Sequence, residues 1–307
     1  MVIKALLDAT RNQTGHHVHY DATGAVRSVT TKPAASAQHH SLSSIELNAP
    51  SETPGYYFAD VLPREGSAAG NSIKLPTYLA AASRVVSHGA PLIVQPEATD
   101  AVVGSNGVLG FQRRDVRFGV IAPARFSEVP DGEELTASTL PLLTDALDLE
   151  TIPTYGFQTA ITRADARHFA DGLLSSAAML SIAMGLGRIA DAVLLDAVTA
   201  STPATFSLGA AAAAGFNFSE LRALVGTNGT GASVDASGVL RAAGIEADLT
   251  PASAATVIGA FSRAAVVFSD RISFTAERIN TNGDCTLTCW CNAQALMPQP
   301  GAFWKAA

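Results

Sequence analysis

The sequence has few charged residues, few cysteines and no long uninterrupted hydrophobic run. Charged residues make up 15% of its 307 residues, whereas hydrophobic residues make up 48%. A disordered chain needs the opposite balance, low hydrophobicity with high net charge, so the composition favours a folded protein. Three cysteines are too few for a disulfide framework, which excludes a small secreted scaffold.

Positive charge is also scarce. The formal net charge is −7, and the chain has only four lysines, at Lys4, Lys32, Lys74 and Lys305. A dedicated nucleic-acid-binding protein usually carries a basic stripe, so this balance argues against one. The N-terminal MVIKALLDA has too short an apolar stretch for a signal peptide. The longest uncharged candidate for a membrane helix, residues 172–187, is shorter than the roughly 20 residues of a bilayer span and contains three serines, so we expect no membrane segment.

The first half of the chain divides into two parts with different patterns. Residues 1–116 have no sustained hydrophobic period and contain polar runs rich in Ser, Thr and His, which predicts an extended N-terminal arm lying across another surface. Residues 117–157 contain two strand-like halves around Pro130, Asp131 and Gly132, which predicts a long hairpin. With seven acidic residues, two arginines and no lysine, this segment has a formal charge of −5.

Helical spacing is clearest from about Arg163 to Ala197. Apolar residues recur there every three or four positions, and charged residues occur only near the two ends. Such a helix would be roughly 50 Å long at 1.5 Å per residue, and its uncharged middle has to be packed. We therefore expect this helix to be the scaffold of the fold.

The last hundred residues combine a Gly/Ala-rich segment with two strands. Residues 200–262 contain short helical pieces, and residues 265–277 are strand-like. Residues 285–297 alternate strictly, with the apolar positions on one face being Cys285, Leu287, Cys289, Cys291, Ala293, Ala295 and Met297. Alternation over this length predicts a strand, so the expected fold class is α+β.

Candidate metal ligands are weak. The cysteines form a C-x3-C-x-C pattern on one apolar strand face, without the turn-friendly spacing or second cluster of a zinc site, which indicates core residues. His16, His17 and His19, with His39 and His40 further on, have no acidic or cysteine partner in the pattern. No residue is therefore assigned to a metal or a cofactor.

One set of residues has the types found in a nucleophilic triad. Asp165, His168, Asp171 and Ser175 are spaced so that neighbours share a helix face. Triads are usually assembled from different segments, however, and the chain contains no G-x-S-x-G elbow. A solvated helix end is the better interpretation, and no residue is assigned as catalytic.

The order of these elements resembles the major capsid proteins of tailed bacteriophages, which share the Hong Kong 97 fold. The stretch ARFSEVPDGEELTASTLPLL is similar to the E-loop of that family, and TYGFQTAITRADARHFADGLL to the strand that leads into its spine helix. VIGAFSRAAVVFSDRISFTAERI and CWCNAQALMPQPGAFWKA resemble the family's C-terminal part, including Pro300, Ala302 and Phe303.

The resemblance implies an α+β capsid fold with five parts. These are an N-terminal extended arm (1–116), an E-loop hairpin (117–157), a peripheral domain with the spine helix (158–199), an axial domain (200–262) and the C-terminal strands of the peripheral domain (263–307). It also implies a virion protein, assembled in the host bacterial cytoplasm from pentamers and hexamers into an icosahedral shell. The implied partners are other copies of the chain, non-specifically packaged double-stranded DNA, a portal protein and decoration proteins, with no cofactor and no membrane.

The acidic hairpin needs oppositely charged neighbours in such a shell. We expect Asp131, Glu133 and Glu134 near its tip to meet arginines of an adjacent subunit. The candidate arginines are Arg113, Arg114, Arg163 and Arg167. The hairpin has no lysine, so the lysine–asparagine cross-link of some family members is not expected.

Two other functions stay open from the sequence. An encapsulin-like nanocompartment shell shares the fold but encloses an enzyme cargo. A soluble enzyme of unrecognised class is supported only by the weak histidine and cysteine patterns. A shell protein should form large particles, whereas a soluble enzyme should not. DNA inside the particles would indicate a phage capsid, and a protein cargo would indicate a nanocompartment.

Overall fold

The computed structural model confirms the α+β class, with helices packed on two antiparallel-rich sheets. It describes residues 2–12, 15–32, 35–48, 72–96, 99–103, 109–113, 116–124, 126–134, 136–147, 151–168, 171–280 and 283–307. Six α-helices lie in these ranges: α1 Val2–Asn12, α2 Leu75–Ala82, α3 Arg84–Ser87, α4 Arg163–His168, α5 Asp171–Ala200 and α6 Leu208–Ala213. Short 3-10 helices cover Leu42–Ser44, Phe218–Glu220, Phe261–Arg263 and Pro300–Ala302.

Twenty strands lie in the described ranges. The first ten are β1 Gly15–Tyr20, β2 Val26–Lys32, β3 Ala35–Ser41, β4 Glu46–Asn48, β5 Ser72–Lys74, β6 Leu92–Gln95, β7 Thr99–Val103, β8 Leu109–Arg113, β9 Arg117–Ile121 and β10 Leu142–Ala146. The other ten are β11 Thr154–Ile161, β12 Arg222–Val225, β13 Ala232–Val234, β14 Leu240–Ala242, β15 Ile245–Leu249, β16 Val257–Gly259, β17 Ala265–Ser269, β18 Arg271–Arg278, β19 Cys285–Leu296 and β20 Phe303–Lys305.

The main sheet is organised around β19, its longest strand. Its order is β3-β18-β19-β17-β6, and β11 also pairs with β19. β11, β17 and β18 are all antiparallel to β19, whereas β6 runs parallel to β17. The predicted strand over residues 265–277 is therefore two strands, and the break falls at Asp270 between them.

Different groups of apolar residues pack on the two faces of this sheet. On β17, Val266 and Phe268 pack in the large core that includes α5, whereas Ala265 and Val267 belong to a small separate cluster with Leu147. Because neighbouring strand residues point to opposite faces, α5 covers one face and the small cluster lies on the other. The predicted burial of one β19 face is confirmed for Cys285 through Ala293, where the buried positions alternate.

The long helix is confirmed, and it lies against the sheet. α5 has 30 residues and contacts β19, β17, α1, α2 and α3. The stretch Leu174–Ala200 is long and apolar enough to cross a membrane, but more than half of its most apolar window is buried inside the protein. This is the burial of a core helix. The helix predicted from about Arg163 to Ala197 corresponds to α4 and α5, which the structure describes over residues 163–168 and 171–200.

A second sheet has the order β13-β14-β15-β12-β16-β20 and its own apolar core. Trp304 lies at the centre of that core, with the rings of Phe206 and Phe216 edge-on to it at centroid distances of 5.8 Å and 5.5 Å. β20 pairs with β16, so residues 303–305 complete this sheet. The prediction that all of residues 263–307 belong to the C-terminal strands of the peripheral domain is therefore wrong at its C-terminal end, because β20 lies in the second sheet.

The prediction of an extended arm over residues 1–116 is wrong for much of its described part. α1 buries Ile3, Leu6 and Leu7 in the main core, and Thr10 donates to the Leu6 carbonyl. β3 pairs along its whole length with β18, and α2 contacts α5. The polar sequence of β3 did not signal a strand because its pairing partner lies more than 200 residues away.

Other boundaries also shifted. The hairpin predicted over residues 117–157 ends at Ala146, because residues 154–157 belong to β11 in the main sheet. Within the region predicted to be an extended arm, Ser72–Lys74 form the short strand β5, after which α2 begins with Pro76 in its first turn. Proline is well tolerated there because the first turn has no intrahelical acceptor for its missing N–H.

A buried carboxylate joins α5 to the α2–α3 junction. Asp191 is 1% exposed, and its Oδ1 accepts hydrogen bonds from Ser83 Oγ at 2.7 Å and Val85 N at 3.0 Å. Ser83 is also the N-cap of α3, where its side chain accepts from Val86 N. Burial raises the pKa of Asp191, and the hydrogen bonds from Val85 and Ser83 offset part of that rise.

A second carboxylate fixes the bend between β17 and β18. Asp270 accepts hydrogen bonds from Ser41 Oγ at 2.7 Å, Ser43 N at 2.8 Å and Ser43 Oγ at 2.7 Å. Its own N–H donates to the carbonyl of Gln95, and its carbonyl accepts from Leu42 N. Partial burial acts to raise the pKa of Asp270, but the hydrogen bonds from Ser41 and Ser43 outweigh it and lower the value. The residue ties three distant segments together.

We expect Asp270→Ala to lower the free energy of unfolding by about 1–3 kcal/mol, because three hydrogen bonds to a carboxylate are lost. The stabilisation should be present at neutral pH and should decline as the pH falls through the lowered pKa of the folded state. Urea denaturation at pH 7 and at acid pH measures both effects. Asp196→Ala, on the exposed side of α5, is the matched control, and equal stability of the two variants would contradict this role.

Asp191 should have the opposite pH dependence. Its pKa is raised in the folded state, so the folded protein binds the proton first as the pH falls. Compared with Asp191→Asn, the wild type should therefore gain stability as the pH is lowered from neutral toward the ordinary range of aspartate. Asp191→Ala should cost about 1–3 kcal/mol at pH 7, because the buried donors of Ser83 and Val85 lose their acceptor. Parallel stability curves for the wild type and Asp191→Asn would refute the assignment.

Candidate assembly surfaces

The first surface is the hairpin made by β9 and β10. The strands are antiparallel and pair from Arg117 with Ala146 to Ile121 with Leu142. Beyond them the chain continues to a turn in which Glu133 N donates to the Pro130 carbonyl at 3.1 Å. Gly132 has φ = 88°, a left-handed value that favours glycine at this position. The turn predicted at Pro130-Asp131-Gly132 is thus confirmed.

This hairpin exposes large apolar side chains. Phe126 is 97% exposed, Leu140 80% and Ile121 76%, and Leu142 and Leu143 are also exposed. Single exposed apolar residues are normal on protein surfaces, but a concentration of them marks an interaction surface. A two-stranded hairpin is at best marginally stable by itself in water, so these exposed side chains make the hairpin a candidate interaction surface.

The base of the hairpin is attached to the sheet face opposite α5. Leu147 is buried in the small cluster with Leu296 of β19, and Phe118 packs against that cluster. Asp145 Oδ2 accepts a hydrogen bond from Met297 N at 2.7 Å. These contacts fix where the hairpin leaves the body of the protein.

The acidic residues Asp131, Glu133 and Glu134 lie at or next to the turn, and their role in assembly and their arginine partners stay predictions. Asp131, Glu133 and Glu134 are exposed. Of the four candidate arginines, Arg163 is exposed near the start of α4. The side chains of the other three, Arg113, Arg114 and Arg167, lie outside the described residues.

The second surface is an apolar groove between α5 and β11, which the sequence analysis did not identify. We call it the α5–β11 groove; its volume is about 300 Å³. Its walls include Tyr155 and Phe157 from β11 and Met184 and Ile189 from α5. Phe157 is 46% exposed, so the groove opens to the outside. Cys289 and Cys291 of β19 form part of the floor, with Gly156 and other α5 residues completing the lining.

Two glycines of α5 show why one side of the helix is open and the other closed. A Cβ added at Gly187 would lie 2.8 Å from the Cβ of Ala82, so this glycine allows the close approach of α2. A Cβ added at Gly185 would meet nothing within 4 Å, although this residue lines the α5–β11 groove. Glycine in a helix interior costs about 0.5–1 kcal/mol relative to alanine. Packing within the described chain therefore explains why residue 187 is a glycine, but it does not explain the glycine at position 185.

The polar groups at the groove are few. Arg188 is exposed and lines it. Burial raises the pKa of the Cys289 and Cys291 thiols to about 12, so both are neutral and unreactive at pH 7. Burial also raises the pKa of Tyr155, to which the neighbouring Asp196 contributes. The groove is therefore an apolar recess with one positive charge at its rim.

The described residues among Asp165, His168, Asp171 and Ser175, which have the types found in a nucleophilic triad, take part in local structure or are buried. Asp165 Oδ2 accepts from Thr162 N and Thr162 Oγ1, and Asp165 N donates to Thr162 Oγ1. This reciprocal arrangement caps the start of α4. Ser175 is 3% exposed, whereas the side chains of His168 and Asp171 lie outside the described residues.

The candidate metal ligands have other roles where they are described. All three cysteines are buried and free, as the sequence predicted. His39 Nδ1 lies 2.7 Å from Ser273 Oγ, and His40 Nε2 lies 3.2 Å from Gln38 Oε1. Burial lowers the pKa of His40. The described part of the chain contains no group of three or more His, Cys, Asp or Glu residues that could hold a metal ion.

Comparison with known proteins finds similar structures but no similar sequence family. A scan against protein-family models and a search of curated proteins returned no match. The chain is similar to a protein of the capsid of an empty GTA particle, with 10% identity, a TM-score of 0.44 and coverage of 80% of this chain and 96% of the other.

Two further similar structures come from phages. A protein of the mature capsid of bacteriophage PhiM1 has 10% identity and a TM-score of 0.42, with 73% of this chain and 86% of the other covered. A protein of the satellite phage P4 procapsid has 12% identity and a TM-score of 0.44, with 76% and 89% covered. At these identities and TM-scores, function has to be argued from the side chains of this chain.

Proposed function

We propose that this chain is a structural shell protein, the major capsid protein of a tailed bacteriophage, with the Hong Kong 97 type of fold. In this function many copies associate through their hairpins into an icosahedral head that encloses double-stranded DNA. The sequence resemblance supplies the family, and the observation that carries the function is the apolar hairpin of β9 and β10. Its most exposed side chain, Phe126, is 97% exposed, so no described residue of its own chain covers it.

The physical argument starts from the cost of this exposure. Fully burying a side chain such as phenylalanine or leucine contributes about 1.5–3 kcal/mol relative to leaving it in water. Phe126, Leu140 and Ile121 are each more than three-quarters exposed on one hairpin. Covering them on a neighbouring copy releases this free energy at every interface. A monomeric enzyme has no comparable reason to expose them.

The body of the protein suits a structural role. The buried set is continuous from α1 through α5 to β19, so the hairpin is carried by a rigid unit. In the capsid proposal this unit, with α5 as the spine helix, is the peripheral domain, and the second sheet is the axial domain. No catalytic residue and no cofactor is assigned.

Other parts of the proposal follow from the capsid function. Pentamers and hexamers of the chain would form in the host bacterial cytoplasm and remain in the virion. The acidic balance of the chain, −7, agrees with DNA that is enclosed without sequence recognition. A portal protein would occupy one vertex, and decoration proteins would bind the outer surface.

Electron microscopy of the purified full-length protein tests the function. We expect closed particles or ring-shaped capsomers, in equilibrium with smaller species that decrease as the protein concentration rises. The double variant Phe126→Ser/Leu140→Ser should retain the fold by circular dichroism and lose at least tenfold in assembly. The matched control is Leu208→Ser/Phe218→Ser, which removes two exposed apolar side chains away from the hairpin. A monodisperse monomer at high concentration would contradict the proposal.

The shell should hold together without covalent cross-links. The four lysines all lie outside the hairpin, so it has no amine for an isopeptide bond with a neighbour. Particles boiled in detergent should therefore run as a single band near 31.6 kDa. A ladder of covalent oligomers would show that a different nucleophile joins the subunits.

A further inference from the structure

We infer that the contact between α3 and β15 is a pH-sensitive switch, which holds strands β13–β15 on the body of the protein at neutral pH and releases them when His88 binds a proton. This α3–β15 contact consists of Arg84 and His88, the first residue and the C-cap of α3, and of Glu246 and Asp248 of β15. The inference goes beyond the proposed shell function and does not depend on it. The observation that carries it is a group of buried polar atoms without hydrogen-bond partners at this contact.

The second sheet is attached to the body unequally across its width. Leu224 of β12, Val257 of β16 and Phe303 of β20 are buried in the main core. The described residues of β13, β14 and β15 contribute nothing to that core, and Ala242 and Ile245 pack in the second core instead. β15 pairs with β12 over three residue pairs. Strands β13–β15 therefore depend on that short pairing and on the charged contact with α3.

A long ion pair joins β15 to α3. Arg84 Nε lies 3.8 Å from Asp248 Oδ2, and the side chains are 29% and 53% exposed. A pair at this distance and exposure is weak. Arg84 also acts on Asp191 of α5, where burial raises the pKa of the carboxyl and the charge of Arg84 opposes that rise. The arginine thus stands between carboxylates of α5 and β15.

Three polar side-chain atoms at this contact are buried and have no hydrogen-bond partner among the described residues. They are Nε of Arg84, Nδ1 of His88 and Oδ2 of Asp191. Buried polar atoms are nearly always paired, and each one left unpaired weakens the arrangement that buries it. The closed contact is therefore only weakly favoured over an open one in which water supplies the missing partners.

His88 has a fixed place in the closed contact. Its N–H donates to the carbonyl of Arg84 at 2.9 Å, and its ring packs on Phe261 with the ring centroids 5.9 Å apart. Phe261 belongs to a 3-10 helix whose charged residue, Arg263, is already paired with Glu220 at 3.1 Å. The ring is thus held against an apolar neighbour, away from a charge that could stabilise its protonated form.

Burial decides the protonation of His88. Burial is the largest effect on the pKa of His88 and lowers it. Asp248 and Glu246 of β15 act to raise this pKa, whereas Arg222 of β12 and Arg84 act to lower it. Two negative and two positive charges largely cancel at the ring, so the loss of hydration sets the direction of the shift. The ring is neutral in the closed contact at pH 7.

A proton on His88 therefore favours the open contact. A protonated imidazole donates from both nitrogens, and Nδ1 has no acceptor in the closed contact among the described residues. When β15 moves away, water hydrates the ring and its pKa returns to the ordinary value of about 6.5. The open form then binds the proton first as the pH falls, so the closed contact is lost progressively below about pH 6.5. One proton with this pKa raises the open population at most about tenfold at pH 5.5.

Backbone hydrogen exchange measures this opening in the full-length protein. Peptides covering β14 and β15, residues 240–249, are followed by mass spectrometry at pH 7.5 and pH 5.5, with intrinsic exchange rates corrected. The opening of β15 should increase about three- to tenfold at the lower pH, while peptides of β17 and β19 should not change. His88→Gln and His88→Phe should each remove the pH response, and His19→Gln, at an exposed histidine of β1, should keep it. An equal pH response in the wild type and in both His88 variants would overturn the inference.

The protonation of His88 can be measured directly. Exchange of the histidine C2 hydrogen, followed by mass spectrometry against pH, gives the pKa of each ring and works on free subunits and on large particles. The midpoint for His88 should lie below that for His19 in the same sample. A midpoint for His88 equal to or above that of His19 would show that the closed contact does not exclude the proton, and the switch would be refuted.

Removing the ion pair should open the contact without a change of pH. Asp248→Asn should increase the opening of β15 several-fold at pH 7.5, and high salt should have a similar, smaller effect on the wild type because the pair is partly exposed. Asp196→Asn, at an exposed carboxylate of α5, is the matched control and should leave β15 unchanged. Wild-type exchange of β15 in Asp248→Asn would show that this pair does not hold the strand, which also contradicts the inference.

Discussion

Packing of α5 on one face of β19 is the contact on which the remaining structure depends. The strand presents cysteine and alanine at most of its buried positions from Cys285 to Ala293, and small side chains let an uncharged helix lie close to the sheet. Once that face is covered, β11, β17 and β18 have a paired edge on which to form. Segments from both ends of the chain then add to the same unit, including α1 and β3.

The same contact leaves α5 covered unequally around its circumference. Gly187 allows α2 to close one side, and Asp191 holds the α2–α3 junction there through Ser83 and Val85. On the other side β11 lies beside the helix, and no described residue fills the recess above Gly185. Two features of α5 reduce the stability of the fold. Asp191 is a buried carboxylate without a close ion pair, and Gly185 is a glycine in the helix interior that nothing packs against in the described chain. Hydrogen bonds within the chain offset the cost of the carboxylate, whereas the described residues make no contact that offsets the cost of the glycine.

Sequence reasoning worked where the pattern is local. Three features depend only on consecutive residues, and the type of each was predicted correctly. They are the alternating burial along β19, the uncharged middle of α5 and the Pro130-Asp131-Gly132 turn. Sequence reasoning failed where structure comes from distant pairing. The His-rich β3 is a strand because β18 offers its edge, and β20 joins the second sheet because Gly259 of β16 lets Phe303 approach: a Cβ there would lie 2.4 Å from the ring.

Of the two candidate surfaces, one could be predicted from the sequence and the other could not. The acidic, lysine-free hairpin was visible in composition, because charge and turn signals do not depend on the fold. The α5–β11 groove was not, since it exists only when β11 lies beside α5. Gly185 was its one local signal, and in an Ala- and Gly-rich helix that signal could not be told apart from Gly187 without the packing.

The balance between the two surfaces bears on how assembly can be controlled. An exposed ion pair contributes only about 0–1 kcal/mol, whereas a buried aromatic side chain contributes about 1.5–3 kcal/mol. In the proposed shell, a single contact made by one hairpin would therefore be weak, and two free subunits would separate readily after a wrong encounter. In a closed ring each subunit would have two neighbours, so its dissociation would break two such contacts. Weak contacts of this kind permit correction during growth and give a stable product only on closure, because the second contact forms within one assembly.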